Sequence, residues 1–112
     1  MHTIAQFQLL FIVGGVLLIL AALPLLYNRV KPNPWYGFRI PKTLSDERIW
    51  YPANSYAAKG MILTGIITIA VAVVLRLTDV PPATYGSTCT YVLVGGLLLT
   101  LVAALIYMKR IS

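Results

Sequence analysis

Residues 4 to 26 read IAQFQLLFIVGGVLLILAALPLL, an apolar run whose strongly polar side chains, Gln6 and Gln8, lie near its start. As an α-helix rising about 1.5 Å per residue, the run reaches roughly 34 Å, enough to cross a hydrocarbon core of about 30 Å. Backbone groups in lipid must satisfy one another's hydrogen bonds, which favours a helix. A secretory signal begins with a positive segment, and no Lys or Arg precedes this run. The stretch therefore predicts a membrane-spanning helix.

Two further apolar runs follow, at residues 60–75 and 86–108. The second run is short, but Lys59 and Arg76 at its ends can extend their charged groups to the lipid headgroups. The segment between the runs, residues 78–84, contains two prolines and predicts a turn. The sequence therefore predicts an all-α integral membrane protein with a single domain over residues 1–112. Its expected spans are residues 4–26, 57–76 and 86–108, and its long loop is residues 27–56.

The composition agrees with a membrane environment. The chain is 59% hydrophobic and 11% charged, whereas about a quarter of the residues are charged in ordinary soluble domains. Its net charge of +6 would suggest nucleic acid in a soluble protein, but six of the nine Lys and Arg residues lie between Arg29 and Lys59, beside apolar segments. This placement favours anionic lipid headgroups as partners and predicts no binding to nucleic acid.

The basic residues also predict an orientation. With three spans, the long loop and the C-terminus lie on one side of the membrane, and Arg76 alone lies on the other. The excess of Lys and Arg on the cytoplasmic side of membrane proteins then puts the loop and the C-terminus in the cytoplasm and the N-terminus outside. The eight basic residues on the loop side are Arg29, Lys31, Arg39, Lys42, Arg48, Lys59, Lys109 and Arg110.

Small residues at helical spacing predict how the spans pack together. Lipid is as apolar as Leu, so small side chains that let backbones approach are the usual means of association. Packing is favoured over a pore or a ligand path because no ionisable side chain falls in the middle of a span. The residues concerned are Gly14, Gly15, Ala21 and Ala22 in span one, Thr64, Gly65, Thr68 and Ala72 in span two, and Gly96, Thr100 and Ala104 in span three.

The loop is too rich in aromatic and conformationally special residues to be a simple tether. Residues 33–60 read NPWYGFRIPKTLSDERIWYPANSYAAKG. Trp35, Tyr36 and Phe38 are expected to be interfacial anchors, because aromatic rings concentrate at the membrane surface. Gly37 permits a positive φ and therefore predicts a sharp turn between its aromatic neighbours.

A helix-start signal follows in the loop. Ser45 is expected to be the N-cap, and the two acidic residues after it suit the first turn of a helix. Pro52 cannot continue a helix without losing a hydrogen bond. We therefore predict a short interfacial helix over Asp46–Tyr51 with Trp50 facing lipid, and a new helix that has Pro52 in its first turn and leads into span two.

The same segment resembles the signature of the SdpI family of small bacterial membrane proteins. The resemblance is carried by Gly37-Phe38-Arg39-Ile40-Pro41, then by Thr43-Leu44-Ser45, Trp50, Asn54 and Gly60. The family signature at the corresponding positions is approximately G-[IFY]-R-[TI]-P-x-[TS]-[LM], followed by Trp, a polar Asn or His, and Gly. These residues cover about a quarter of the 112 residues. The best known members confer immunity on cells that make a membrane-damaging peptide toxin. The resemblance thus implies a protein of the bacterial cytoplasmic (inner) membrane that gives toxin resistance by binding at the membrane surface.

Arg39 stands between a residue that frees the backbone and one that fixes it. Its planar guanidinium can bind a phosphate or carboxylate at two points, so Arg39, with Lys42 and Arg48, is expected to hold a lipid phosphate or an acidic partner segment. The alternative is that Arg39 pairs with Asp46 or Glu47 and pins the loop to itself. The candidate residues for binding a partner or lipid are Gly37, Arg39, Pro41, Lys42, Arg48, Trp50 and Asn54.

Other functional classes are disfavoured. Three acidic residues, His2 and Cys89 form no nucleophile–base pair and no metal shell, so we expect no enzyme activity, cofactor or metal site. A secondary transporter would show intramembrane charge, repeats or broken helices. The competing expectation is a small accessory or structural subunit that packs against a larger membrane complex. A homo-oligomer, including an oligomeric pore, also stays open.

Overall fold

The computed structural model of the chain describes residues 4–33, 37 and 39–111, which form four helices and, within those residues, no strand. Three of the helices are long and apolar enough to cross a membrane. The predicted all-α architecture with three membrane-spanning helices and a short helix in the first loop is thus confirmed. The helices are α1 (Ile4–Leu26), α2 (Pro41–Ser45), α3 (Glu47–Arg76) and α4 (Pro82–Ile111).

Helix α3 is the centre of the bundle. Both α1 and α4 pack mainly on α3 and touch each other only lightly. At the crossing of α1 and α3 the backbones approach closely, because a Cβ atom added at Gly15 would lie 3.0 Å from the carbonyl oxygen of Gly65. A Cβ atom added at Gly65 would lie 2.9 Å from the carbonyl oxygen of Gly15. These two glycines therefore set the distance between the helices.

The contact between α3 and α4 pairs glycine with threonine twice. A Cβ atom at Gly60 would lie 2.5 Å from Thr100 Oγ1, and one at Gly96 would lie 2.7 Å from the side chain of Thr64. Each glycine thus leaves room for the threonine on the facing helix. Thr100 satisfies its hydroxyl within its own helix by donating to the carbonyl oxygen of Gly96 at 2.8 Å. Gly15, Gly65 and Gly96 thus act in packing, as predicted, whereas Gly14 does not, since nothing lies within 4 Å of a Cβ atom added there.

The end of the bundle at which α1 begins, α3 ends and α4 begins has a small core of its own. Phe11 of α1, Ala72 of α3, and Tyr85 and Cys89 of α4 are buried together there. Tyr85 donates its hydroxyl hydrogen to the carbonyl oxygen of Ala72, so the polar tip of the ring is satisfied inside an apolar environment. This contact ties the start of α4 to the last turns of α3.

The start of α3 differs from the prediction. Asp46, not Ser45, is the N-cap, and its carboxylate accepts a hydrogen bond from the backbone N–H of Arg48 at 2.9 Å. The helix then runs without a break from Glu47 through Pro52 into the membrane span. The prediction of a separate helix over Asp46–Tyr51 is therefore wrong. Pro52 is tolerated because its missing hydrogen bond falls in the second turn, near the end of the helix rather than deep in lipid.

The short helix of the loop lies just before this position, at Pro41–Ser45. Pro41 occupies its first turn, where the absent N–H costs nothing. Thr43 is buried and closes the turn from within, since its Oγ1 accepts from the N–H of Ile40 at 3.0 Å and donates back to the carbonyl oxygen of Ile40 at 2.9 Å. The loop therefore enters α3 through a locally satisfied turn.

Candidate functional site

Hydrogen bonds from α3 to the end of α1 hold the loop against the end of the bundle at which α1 ends and α3 begins. The indole Nε1 of Trp50 donates to the carbonyl oxygen of Val30 at 2.8 Å. Ser55, one turn further along α3, donates from Oγ to the carbonyl oxygen of Leu26 at 3.1 Å. Both acceptors lie where α1 has ended or is ending and carbonyl groups lack helical partners. The chain leaving α1 is thus held against α3.

Gly37 lies on this junction with a φ of +108°. A Cβ atom built there would lie 2.8 Å from Asn54 Oδ1 and 3.3 Å from both Leu25 Cδ2 and Trp50 Cη2. Asn54 is itself buried and donates from Nδ2 to the carbonyl oxygen of Trp50 at 3.0 Å. Gly37, Trp50 and Asn54 thus converge, and we call these three residues the clasp. Three positions widely spaced in the loop motif become one packed unit.

The clasp corrects the predicted role of Trp50. Its side chain has no exposed surface, so it does not face lipid. The reason is that α3 is continuous through this region and turns the ring inward, where Val30 accepts its N–H. Trp50 is therefore a residue that positions the loop, and its ring is not open to a partner.

A cavity of about 420 Å³ lies beside the clasp, between α1, α3 and α4. Its wall is largely apolar, and its polar side chains belong to Asn54 and Thr100. The cavity exists because α1 and α4 both pack on α3 and make little contact with each other. We call it the clasp cavity. Its lining residues are Ala21, Leu25, Gly37, Asn54, Ala57, Met61, Leu97, Thr100, Leu101 and Ala104.

Arg39 is bonded to one residue of the cavity wall and is not itself a lining residue. Its side chain is exposed, and its Nε donates to the carbonyl oxygen of Gly37, which lines the cavity, at 3.3 Å. Pro41 follows at the start of α2 and limits the freedom of the backbone after Arg39. The bond to Gly37 thus holds the guanidinium in its own turn.

Arg48 occupies a different environment. Its side chain is 91% exposed, and its Nε lies 3.4 Å from Asp46 Oδ1. The backbone N–H of Arg48, and then its side chain, hold the pKa of the Asp46 carboxyl below its ordinary value. Arg48 therefore stabilises the start of α3, and it does not line the clasp cavity.

The remaining predicted residues are only partly placed. Lys42 lies in α2, but its side chain is outside the described part of the chain. The predicted anchors Trp35, Tyr36 and Phe38 also lie outside the described residues. Across residues 4–33, 37 and 39–111, no three His, Cys, Asp or Glu side chains are grouped as a metal site would require.

Sequence reasoning missed the walls of the cavity. Leu25 and Ala21 come from the end of α1, and Leu97 and Leu101 come from α4, far from the loop motif. The regular spacing of small residues in α4 indicated which face meets α3. It did not indicate that α1 would stay apart from that face, because this depends on the angles at which the helices cross.

The segment of the chain that contains the clasp is similar to known proteins. The family model described as the SdpI/YfhL protein family matches residues 29–108, which include the clasp, α3 and most of α4. A protein of Bacillus subtilis (strain 168), described as the uncharacterized protein YfhL, is 37% identical over 65 residues. Those residues are 57% of this chain and 59% of that protein, so the match spans less than two thirds of the relative's length. No solved structure matches the chain. The chain is a membrane protein that belongs to the SdpI/YfhL family.

Proposed function

We propose that this chain protects a bacterial cytoplasmic membrane by binding a membrane-active peptide toxin at the clasp cavity. One observation carries the proposal: the exposed side chain of Arg39 donates to the carbonyl of Gly37, and Gly37 itself lines an apolar cavity. A charged group and an apolar recess therefore lie together at one place. Membership of a family whose best known members give toxin immunity supports the same function.

The chemistry of the site suits an amphipathic peptide. An apolar side chain of the peptide would enter the clasp cavity, whose wall comes mainly from Leu25, Met61 and Leu101. A carboxylate of the peptide would be bound by the guanidinium of Arg39, which can offer two parallel N–H groups. A peptide held in this way is kept from inserting or assembling in the bilayer.

The test compares Arg39→Lys and Arg39→Ala with the wild type in cells exposed to the toxin. The lysine variant keeps the charge but loses the planar fork, so protection should fall partly, and the alanine variant should lose protection. Arg29→Ala is the matched control, because Arg29 is also exposed but, among the described residues, makes no hydrogen bond to Gly37 or to any other residue that lines the cavity. It should protect as well as the wild type.

Membrane levels of every variant decide between the possible outcomes. If Arg39→Ala accumulates normally and still protects, the proposed role of Arg39 is wrong. If Arg39→Ala fails to accumulate, a pairing of Arg39 within the loop is the better explanation, and exchanging its charge with that of Asp46 or Glu47 should restore the protein.

We also propose that the clasp lies on the cytoplasmic side and that the N-terminus lies outside. The eight-to-one distribution of basic residues supports this orientation. A cysteine introduced at Asp79 should react with a membrane-impermeant thiol reagent added to intact cells, and one at Lys42 should not. Cys89 is buried, so the labelling reports the introduced thiol. Labelling at position 42 would reverse the orientation.

The second candidate function is that of a small accessory subunit in a larger membrane complex. It is favoured by α4, which packs mainly on α3 and leaves Leu98 58% and Leu99 73% exposed. Purification in mild detergent separates the two functions, since an accessory subunit should bring a stoichiometric partner and a protective protein should not. A second copy of the chain at this face would instead appear as a homo-oligomer.

A further inference from the structure

Lys59 lies deeper in the bundle than the other cations of the inner side. Ser55 is bonded to Leu26, the last residue of α1, so Ser55 marks the level at which the first membrane span ends. Lys59 lies four residues further along α3, about 6 Å closer to the middle of the membrane. The neighbouring residue Gly60 faces Thr100 of α4. Thr100 lies ten residues before Arg110, which is in the last turn of α4, so Lys59 is also well inside the bundle when measured along α4. The backbone of Lys59 therefore lies within the apolar layer, and its side chain extends from there.

No acidic side chain of the chain can reach Lys59. The protein has three acidic residues in total, Asp46, Glu47 and Asp79. Glu47 lies twelve residues earlier on the same helix, about 18 Å along its axis, and Asp46 lies further still. Asp79 follows the opposite end of α3. Lys59 is exposed, so its ammonium group can extend toward the headgroups, and an anion that pairs with it there comes from the lipid rather than from these three residues.

The space around Lys59 has two parts of different character. An apolar groove of about 410 Å³ runs between α3 and α4 from Lys59 past Leu63 and Ile67 to Val92, and we call it the α3–α4 groove. A second pocket of about 380 Å³ lies beside it toward the membrane surface. We call this the tyrosine pocket, and its lining residues are Asn28, Tyr51, Pro52, Ser55, Tyr56, Lys59 and Tyr107.

Lys59 and Tyr56 line both spaces, so the two lie on either side of these residues. The ring of Tyr56 stacks on that of Tyr107, with centroids 4.4 Å apart and planes inclined by 3°, and fixes the wall where the spaces meet. The site thus offers an apolar groove of membrane depth, one cation at its mouth and phenol hydroxyl groups above the cation. This order matches an acyl chain, a phosphate and a polar headgroup.

We propose that the α3–α4 groove binds one anionic phospholipid. One acyl chain lies along Leu63 and Ile67, the phosphate pairs with Lys59, and the headgroup hydroxyls lie in the tyrosine pocket. Arg39 and Gly37 line neither the α3–α4 groove nor the tyrosine pocket, although Thr100 lines both the groove and the clasp cavity. Lipid binding here therefore stands or falls independently of toxin binding at the clasp cavity.

The test uses the full chain, purified in detergent and stripped of lipid, with native mass spectrometry as the readout. Dioleoylphosphatidylglycerol should bind as one molecule per chain and about fivefold or more tighter than dioleoylphosphatidylcholine. Lys59→Gln should weaken binding of the anionic lipid by a similar factor, and Lys59→Arg should restore it. Arg76→Gln, which removes a cation at the other end of α3, should bind like the wild type.

A second pair of variants tests the apolar part. Ala103→Phe should fill the α3–α4 groove and weaken both lipids, whereas Ala70→Phe, at an exposed position of α3 outside the groove, should not. Equal binding of the two lipids by the wild-type chain overturns the proposal without any variant. It is also overturned if Lys59→Gln or Ala103→Phe folds and binds normally. A dimer in place of the lipid-bound monomer would show that a second chain covers the groove, and would overturn it as well.

Discussion

Gly37→Ala tests whether the clasp holds the loop to the bundle. At a φ of +108° a residue with a Cβ atom is strained, which costs about 1–2 kcal/mol. The added Cβ atom would also lie 2.8 Å from Asn54 Oδ1, so the amide must move. Moving it weakens the hydrogen bond from Asn54 to the carbonyl of Trp50, at a cost of about 1 kcal/mol. The lower conformational entropy of the unfolded alanine chain returns about 0.5–1 kcal/mol. The expected net effect is a decrease of about 2 kcal/mol in the free energy of unfolding.

The assay is unfolding by sodium dodecyl sulfate in mixed micelles, followed by circular dichroism. Gly14→Ala is the matched control, because nothing lies within 4 Å of a Cβ atom added at Gly14 and its helical conformation suits alanine. The control should be as stable as the wild type or slightly more stable. A Gly37→Ala variant whose free energy of unfolding matches the wild type would refute the packing of Gly37 against Asn54, Leu25 and Trp50.

Three further predictions concern other contacts. Gly65→Leu should separate α1 from α3 and destabilise the protein by several kcal/mol in the same unfolding assay, whereas Gly95→Leu, where nothing lies within 4 Å, should have little effect. Trp50→Phe should cost about 1–2 kcal/mol, because the carbonyl of Val30 loses the indole N–H, and unchanged stability would contradict that bond. The N-cap contribution of Asp46 should be complete above about pH 4 and decline as the pH falls through the lowered pKa of its carboxyl, so a pH series should show a loss in the wild type that is absent in Asp46→Asn.

The sequence was sufficient for the helices and their packing faces. Apolar length predicted the three spans, and the steps of four in α4 identified Gly96 and Thr100 as contact residues, since both features depend on local composition and helical period. The turn at Gly37 was also predictable, because glycine permits a positive φ between its two aromatic neighbours. These inferences require no knowledge of how one helix is placed against another.

The start of α3 could not be predicted in the same way. Ser45, Asp46 and Pro52 each carry a familiar signal, and the signals compete. Asp46 caps in place of Ser45 because Ser45 completes α2, and Pro52 remains within the helix because its lost bond lies close to the helix end. The inward orientation of Trp50 follows from that continuity. The setting of Lys59 was missed for a related reason, since its depth depends on how far α3 is shifted along α1 and α4.

The central position of α3 has a consequence for biosynthesis. As the chain is made, α1 enters the bilayer before its packing partner exists, and it must wait as a lone apolar helix. The contacts of Gly15 with Gly65 and of Trp50 with Val30 form once α3 follows, and neither involves α4. Assembly can therefore reach the joined pair of α1 and α3 while α4 is still in the ribosome. A nascent chain stalled at its last residues, while α4 still occupies the ribosome, should already show an efficient crosslink between cysteines placed at positions 15 and 65.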